Sequence, residues 1–185
     1  MITSRLPQVG TTIFTVMSAL AIRHHAVNLG QGFPDFDCDP GLIDAVTRAM
    51  QAGHNQYPPM AGWPRLRVAI ADKIESIYGH RYDPETEITV TAGATQALLT
   101  AILSLIHPGD EAIVIEPAYD SYVPAILLAG GRPVFVPMQV PTESQTRFSI
   151  PWDRVRSAVP ARTRLILVNS PHNPPQLSST KRDFA

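Results

Sequence analysis

Cysteine is almost missing from this chain. Cys38 stands alone in 185 residues, which excludes an internal disulfide and a zinc site built on several thiolates, and fits a reducing compartment. Net charge is nearly missing too: at -1 near neutrality there is no bulk electrostatic case for nucleic acid or an acidic membrane surface as a partner. Long apolar runs are lacking, because the longest, Ala97 to Ile106, is only about half a membrane span. The first residues do not show the charged-then-apolar order of a secretory signal, so a cytoplasmic protein is expected. No Gly-x-Gly-x-x-Gly joins a strand to a helix: Gly30-Gln31-Gly32 runs into Phe33-Pro34, which disfavours a nicotinamide-binding domain. No pair among His24, His25, His54, His80, His107 and His172 stands in a metal-ligand context, although His172 lies inside a strand-end motif described below.

What is present reads as a folded globular chain. Hydrophobic residues make up 44% and charged residues 17%, enough to build a core. The eighteen prolines are spread along the chain at element boundaries, so they punctuate a fold and mark no disordered tract. Thr11 and Thr12 can cap a helix carrying Ile13, Val16, Met17 and Leu20 on one face. Pro40 opens a second helix, with Leu42, Ile43, Val46, Ala49 and Met50 in its stripe, closed by Gly53. Trp63, Leu66, Ile70, Ile74 and Ile77 trace a third, which stops at Gly79. The polar loop Asn55-Gln56-Tyr57-Pro58 lies between the second and the third.

The second half alternates strand and helix. Glu111 to Glu116, Arg132 to Pro137 and Arg164 to Asn169 read as strands, with helices over Tyr119 to Ala129 and from about Pro151 to Val159. Near-continuous apolar strands such as Ala-Ile-Val-Ile and Leu-Ile-Leu-Val belong in a sheet covered on both faces. The expected class is therefore α/β with a mainly parallel sheet, whose ligands gather at the carboxyl ends of the strands.

Thr86 to Gln96 organises this half. It reads as a short β-branched strand, an Ala-Gly-Ala-Thr turn, and then the buried helix Ala97 to Ile106. Such a turn aims the first amides of the helix and the Thr95 hydroxyl above the sheet, where the helix dipole favours an anion, with phosphate the leading candidate. An ordinary strand-to-helix turn is the other reading, because a single glycine is a weak phosphate signal.

Five motifs stand in order along the chain: Gly30-Gln31-Gly32-Phe33-Pro34-Asp35-Phe36, Asn55-Gln56-Tyr57, Ala92 to Gln96, Glu116-Pro117-Ala118-Tyr119, and Asn169-Ser170-Pro171-His172-Asn173-Pro174. Together, at these spacings, they resemble the class I and II aminotransferases that use pyridoxal 5'-phosphate, most closely the kynurenine and methionine aminotransferase branch. The resemblance covers nearly the whole chain. It implies a fold-type-I, three-layer large domain with an N-terminal helical arm. It also implies amino transfer from an amino acid to a 2-oxo acid, of the methionine, kynurenine or glutamine type. In such enzymes the turn matching Gly93, Ala94, Thr95 and Gln96 holds the cofactor phosphate, and Tyr119 stacks on the pyridine ring. Asn173 matches the asparagine that donates to the phenolic oxygen. Asn169 and Gly32 match positions near the substrate carboxylate, and Tyr57 matches a tyrosine that reaches the cofactor phosphate of the other subunit of a homodimer.

The resemblance also marks what is not here. Amino transfer needs a lysine that forms the Schiff base and moves the proton, yet the chain has only Lys73, beside Asp72 and Glu75 on a polar helix face, and Lys181 in a polar tail. Neither has the Ser-x-x-Lys setting that the family places well beyond residue 185, so no catalytic residue is assigned. Also missing are the later aspartate for the pyridine nitrogen, the tyrosine after it and the C-terminal arginine. The expectation is a truncated N-terminal half: residues 1–40 as arm and substrate-facing loop, residues 41–185 as a partial cofactor-binding large domain. A gap is expected in its sheet, between the strand at Ile88 to Thr91 and the other three. Pro175-Gln176 departs from the small residues usual after the Asn-Pro motif, and Thr180-x-x-Asp183 looks like a helix cap. Two further readings stay open, a non-catalytic remnant and a carbon-sulfur lyase on the same cofactor.

Overall fold

The computed structural model describes residues 3–32, 34–143, 146–159 and 161–173. The chain forms two compact units, one over Thr11–Ala92 and the other over Met1–Gly10 with Gly93–Ala185. Readings that fall on Pro174 to Asp183, including Lys181, lie outside the described residues.

The first unit is helical. Helix α1 spans Ile13–Arg23, and the Thr12 hydroxyl accepts from the Thr15 amide at 3.3 Å, as its capping role requires. Helix α2 spans Pro40–Gln51, with Asp39 capping it through the Gly41 amide at 2.8 Å. Helix α3 spans Pro64–Tyr78 and ends on Gly79. One buried cation fastens α3: Arg67, only 4% exposed, donates to the Pro84 and Glu85 carbonyls and to the Glu85 carboxylate at 3.3 Å. Nothing in its helical spacing distinguishes Arg67 from a surface arginine.

The expected strand at Ile88 to Thr91 is not formed, since the chain passes from α3 to α4 (Gly93–Leu105) with no strand between. The Val90 amide donates to the Ala61 carbonyl at 3.0 Å instead, against a backbone that needs glycine. Gly62 has φ +101°, and a Cβ there would stand 2.6 Å from the Val90 Cβ. β-Branched propensity makes a strand only where a ladder receives it. Among the described residues the ladder belongs to the other three segments.

In the second unit α4 is followed by β1 (Glu111–Glu116), α5 (Tyr122–Leu128), β2 (Arg132–Pro137), α6 (Trp152–Ser157) and β3 (Thr163–Leu167). All pairs of the sheet are parallel, in the order β2-β1-β3. Residues 111–115 of the central strand are buried, and their alternation feeds two cores. Ala112 and Val114 pack with Ile102 and Ile106 of the α4 segment and with Tyr122, Ala125 and Ile126 of α5. Ile113 and Ile115 pack on the opposite face with Val136, Met138, Ile150 and Val155. A three-layer arrangement results, parallel sheet between helices, as the apolar strand runs demand.

Among the boundaries that differ from the sequence reading, two bear on the strand ends. Helix α5 begins at Tyr122, leaving Tyr119 in the loop, where its carbonyl accepts from the Tyr122 amide at 3.2 Å. Strand β3 ends at Leu167, which leaves Asn169 beyond the ladder. Both shifts lengthen the loops at the carboxyl ends of the strands, where side chains reach a ligand.

The opposite end of the sheet is held by charge. Glu111, 1% exposed, pairs with Arg132 and with Arg162 at 3.3 Å. Asp110 accepts from the His107 amide at 2.9 Å. That bond holds its carboxyl below the ordinary range against the opposing effect of burial, with lesser help from Arg164.

Candidate functional site

The strand order fixes where a ligand can sit. From β1 the chain crosses through α5, on one face, to β2; from β2 it crosses through α6, on the other face, to β3 on the far side of β1. Where crossovers diverge in this way, the loops leaving two neighbouring strands part and open a crevice. Here those strands are β1 and β3. Their ladder ends at Val114 opposite Leu167, and the segments beyond it carry Tyr119 on one side and Asn169 and Asn173 on the other.

A cleft of about 680 Å³ occupies that place, lined by Ala94, Ala97, Leu98, Ala101, Tyr119, Tyr122, Val168, Asn169 and Asn173. The helix α4 contributes its N-terminal half. Alanines at positions 94, 97 and 101 share one side of the helix by their spacing of three and four, and their small size leaves room for a flat group. Gly93 has φ +83°, with nothing within 4 Å of where a Cβ would be, so glycine is required there by the backbone and not by crowding. The first turn of α4 brings Gly93, Ala94, Thr95 and Gln96 to the positive end of the helix dipole, on the solvent-exposed side.

Tyr119 stands across from that turn. Its hydroxyl lies 3.4 Å from the Thr95 hydroxyl, and its half-buried ring meets Tyr122 edge-on, with centroids 5.8 Å apart at 74°. Tyr122 is 7% exposed, and this burial, with Tyr119 beside it, raises its phenol above the ordinary range, so it stays protonated near neutrality. Below the rim His172 joins the two loops, its Nε2 2.8 Å from the Pro117 carbonyl.

Of the residues expected from sequence, the structure brings Ala94, Tyr119, Asn169 and Asn173 to one cleft, with Gly93, Thr95 and Gln96 on the same turn as Ala94. Gly32 and Tyr57 belong to the helical unit. Gly32 is exposed after α1, and Tyr57, wholly exposed, sits on the wall of a second cavity of about 530 Å³ with Trp63, Met60 and Pro58. Sequence reasoning missed Tyr122, whose helical context is that of a core aromatic. It also left His172 without a role. Among the described residues no cluster of His, Cys, Asp and Glu could hold a metal ion, and no helix is long and apolar enough to cross a membrane.

Known proteins share both the sequence and the fold. The profile of the family described as aminotransferase class I and II matches residues 24–175. The methionine aminotransferase of Escherichia coli strain K12 is 48% identical over 182 residues, 98% of this chain and 46% of that protein. A probable N-succinyldiaminopimelate aminotransferase of Mycobacterium tuberculosis is 50% identical over 174 residues, 94% of this chain and 43% of that protein. Among solved structures, the E. coli methionine aminotransferase superposes with a TM-score of 0.92 at 47% identity, over 100% of this chain and 47% of its own. The M. tuberculosis N-succinyldiaminopimelate aminotransferase gives 0.86 at 49% identity, over 94% and 44%. The chain thus spans about half the length of the relatives it matches. It belongs to the class I and II aminotransferases, pyridoxal-phosphate-dependent proteins of fold type I.

Proposed function

We propose that this chain provides the cofactor cradle of an enzyme moving an amino group from an amino acid to a 2-oxo acid, of the methionine, kynurenine or glutamine type. The observation that carries the reading is the convergence of Ala94, Tyr119, Asn169 and Asn173, from the start of α4 and from the loops after β1 and β3, on one cleft at the ends of those strands. The residues present fit pyridoxal 5'-phosphate. A helix start with the Thr95 hydroxyl suits a phosphate, small apolar side chains leave room for a flat ring, and an aromatic side chain with two amides suits the ring and its polar edge.

In this reading Gly93, Ala94, Thr95 and Gln96 hold the phosphate, Tyr119 covers the ring face and excludes water, and Asn173 donates its side-chain amide to the phenolic oxygen. Asn169 and Gly32 orient the substrate carboxylate. Tyr57 serves the cofactor phosphate of the second subunit of a homodimer, and its full exposure supports such a role. Bound in this cleft, the cofactor supplies an electron sink that eases bond breaking at the substrate α-carbon. The exposed, free Cys38 supports a reducing, cytoplasmic setting.

A second reading concerns residues 1–185 by themselves, which we propose bind the cofactor weakly and transfer no amino group. Lys73 is exposed on α3, and no lysine lines the cleft among the described residues. Among the described residues, a covalent anchor and a proton carrier are therefore wanting. Borohydride reduction with pyridoxal phosphate, followed by mass analysis and an amino-transfer assay, tests this. No stoichiometric adduct and no turnover are expected, and a full adduct on Lys73 or Lys181, or amino transfer by the purified chain, would refute it.

A further inference from the structure

Beyond the end of the β1–β3 ladder, at Val114 and Leu167, one loop after each strand walls the cleft. The His172 side chain is hydrogen-bonded from one to the other. We propose that His172 is a positioning residue which fixes the distance between the Tyr119 loop and the Asn169–Asn173 loop; this rests on the cleft being the cofactor site.

The bond spans 55 positions of sequence, from His172 Nε2 to the Pro117 carbonyl at 2.8 Å. A carbonyl oxygen can only accept, so Nε2 carries the proton and donates. The ring is 2% exposed, and its Nδ1 is buried with no hydrogen-bond partner among the described residues. The donor at Nε2 is thus the one polar function through which the imidazole acts here. Each end of the tie adjoins the cleft. Pro117 is two residues from Tyr119, and His172 is next to Asn173 and three residues from Asn169. A small change at this bond moves the ring face relative to the amides opposite, whereas the α4 turn keeps its own geometry. A buried histidine chosen for packing alone would need no such donor.

Pyridoxamine 5'-phosphate is the probe, because it keeps the phosphate, ring and phenolic oxygen but has no carbonyl and needs no lysine. Its affinity for the 185-residue chain is measured by equilibrium dialysis, with Tyr119→Ala as reference for the parent reading. His172→Phe keeps a ring but removes the donor and should weaken binding about tenfold, the scale of one buried hydrogen bond left unmade. His172→Gln places an amide N–H near the same point and should bind within about threefold of the original chain. Three results would overturn the proposal. Absence of binding, or indifference to Tyr119→Ala, removes the cofactor assignment and this tie with it. Equal affinity in His172→Phe, with Tyr119→Ala weakened, removes the positioning role alone. Equal losses in His172→Phe and His172→Gln would show that imidazole shape and not the donor matters.

Discussion

The two compact units use the same kinds of residue to opposite effect. In the α/β unit a central set of apolar positions is enclosed: Ile102, Ile113, Ile115, Val114 and Ile126 are essentially inaccessible. In the helical unit the apolar stripes of α1 and α2 are open, with Ile13, Leu42, Ile43 and Met50 between 51% and 64% exposed. Among the described residues only Gly62, Arg67 and Ala71 are buried there. One unit thus carries its own core on both faces of a sheet and can hold a cleft in shape by itself. The other consists of amphipathic helices, of which α1 and α2 carry side-chain N-caps and open apolar faces, while α3 is fastened by Arg67 to the Pro84–Glu85 segment. Capping and periodicity specify a helix; enclosure of its stripe supplies most of its stability.

This contrast breaks most easily in the core. Ile113→Ala should lower the unfolding free energy of the α/β unit by about 2 to 5 kcal/mol, the range for truncating an enclosed aliphatic, as read from urea melts. Leu42→Ala, on the open face of α2, should change it by about 0.5 kcal/mol or less. Equal losses would mean that the stripe of α2 is covered in solution, by a second copy or otherwise.

A smaller effect sharpens the comparison through acid. The Asp110 carboxyl titrates lower in the folded α/β unit than when unfolded, chiefly because it accepts from the His107 amide, with Arg164 contributing less. A depressed carboxylate stabilises the fold above its unfolded value, about 3.9, and that contribution disappears as pH falls through the folded value. Asp110→Asn should therefore be slightly less stable than the parent chain at neutral pH, and the gap should close below about pH 3.9. Urea midpoints at the two pH values, followed by amide signals of β1, decide the matter. A gap that widens in acid would mean that the His107 bond does not govern this group.

Legibility from sequence follows the same division. Strands β1 and β2 were readable to the residue, because Glu111–Glu116 and Arg132–Pro137 are apolar runs framed by Gly, Pro and Asp turns. Helices α1, α2 and α3 were readable from Thr12, Pro40 and Gly79 at their ends. The strand expected at Ile88 to Thr91 was not, since a strand depends on distant neighbours, and here the Val90 amide is taken by the Ala61 carbonyl of a loop. The start of α5 was misplaced because Tyr119 stands at helical spacing before Tyr122, whereas the helix begins only after Asp120-Ser121. The turn at Gly93 was visible as a possible anion site, and Tyr119, Asn169 and Asn173 gained meaning only as an ordered set. Arg67, Tyr122 and the His172 tie depend on partners 17, 3 and 55 positions away. No periodicity records whether such a polar group is enclosed or what it touches.

The central claim is that the cofactor binds in the cleft at the ends of β1 and β3, and not in the cavity of the helical unit around Tyr57 and Trp63. The most direct measurement is a titration of the isotopically labelled chain with pyridoxamine 5'-phosphate, following backbone amide resonances. The account predicts saturable shifts at Gly93, Ala94, Thr95 and Gln96, with smaller ones at Tyr119 and Asn173, and none at Gly53, His54 or Trp63. Shifts confined to Gly53, His54 and Trp63, or none at the start of α4 at saturating probe, would contradict it.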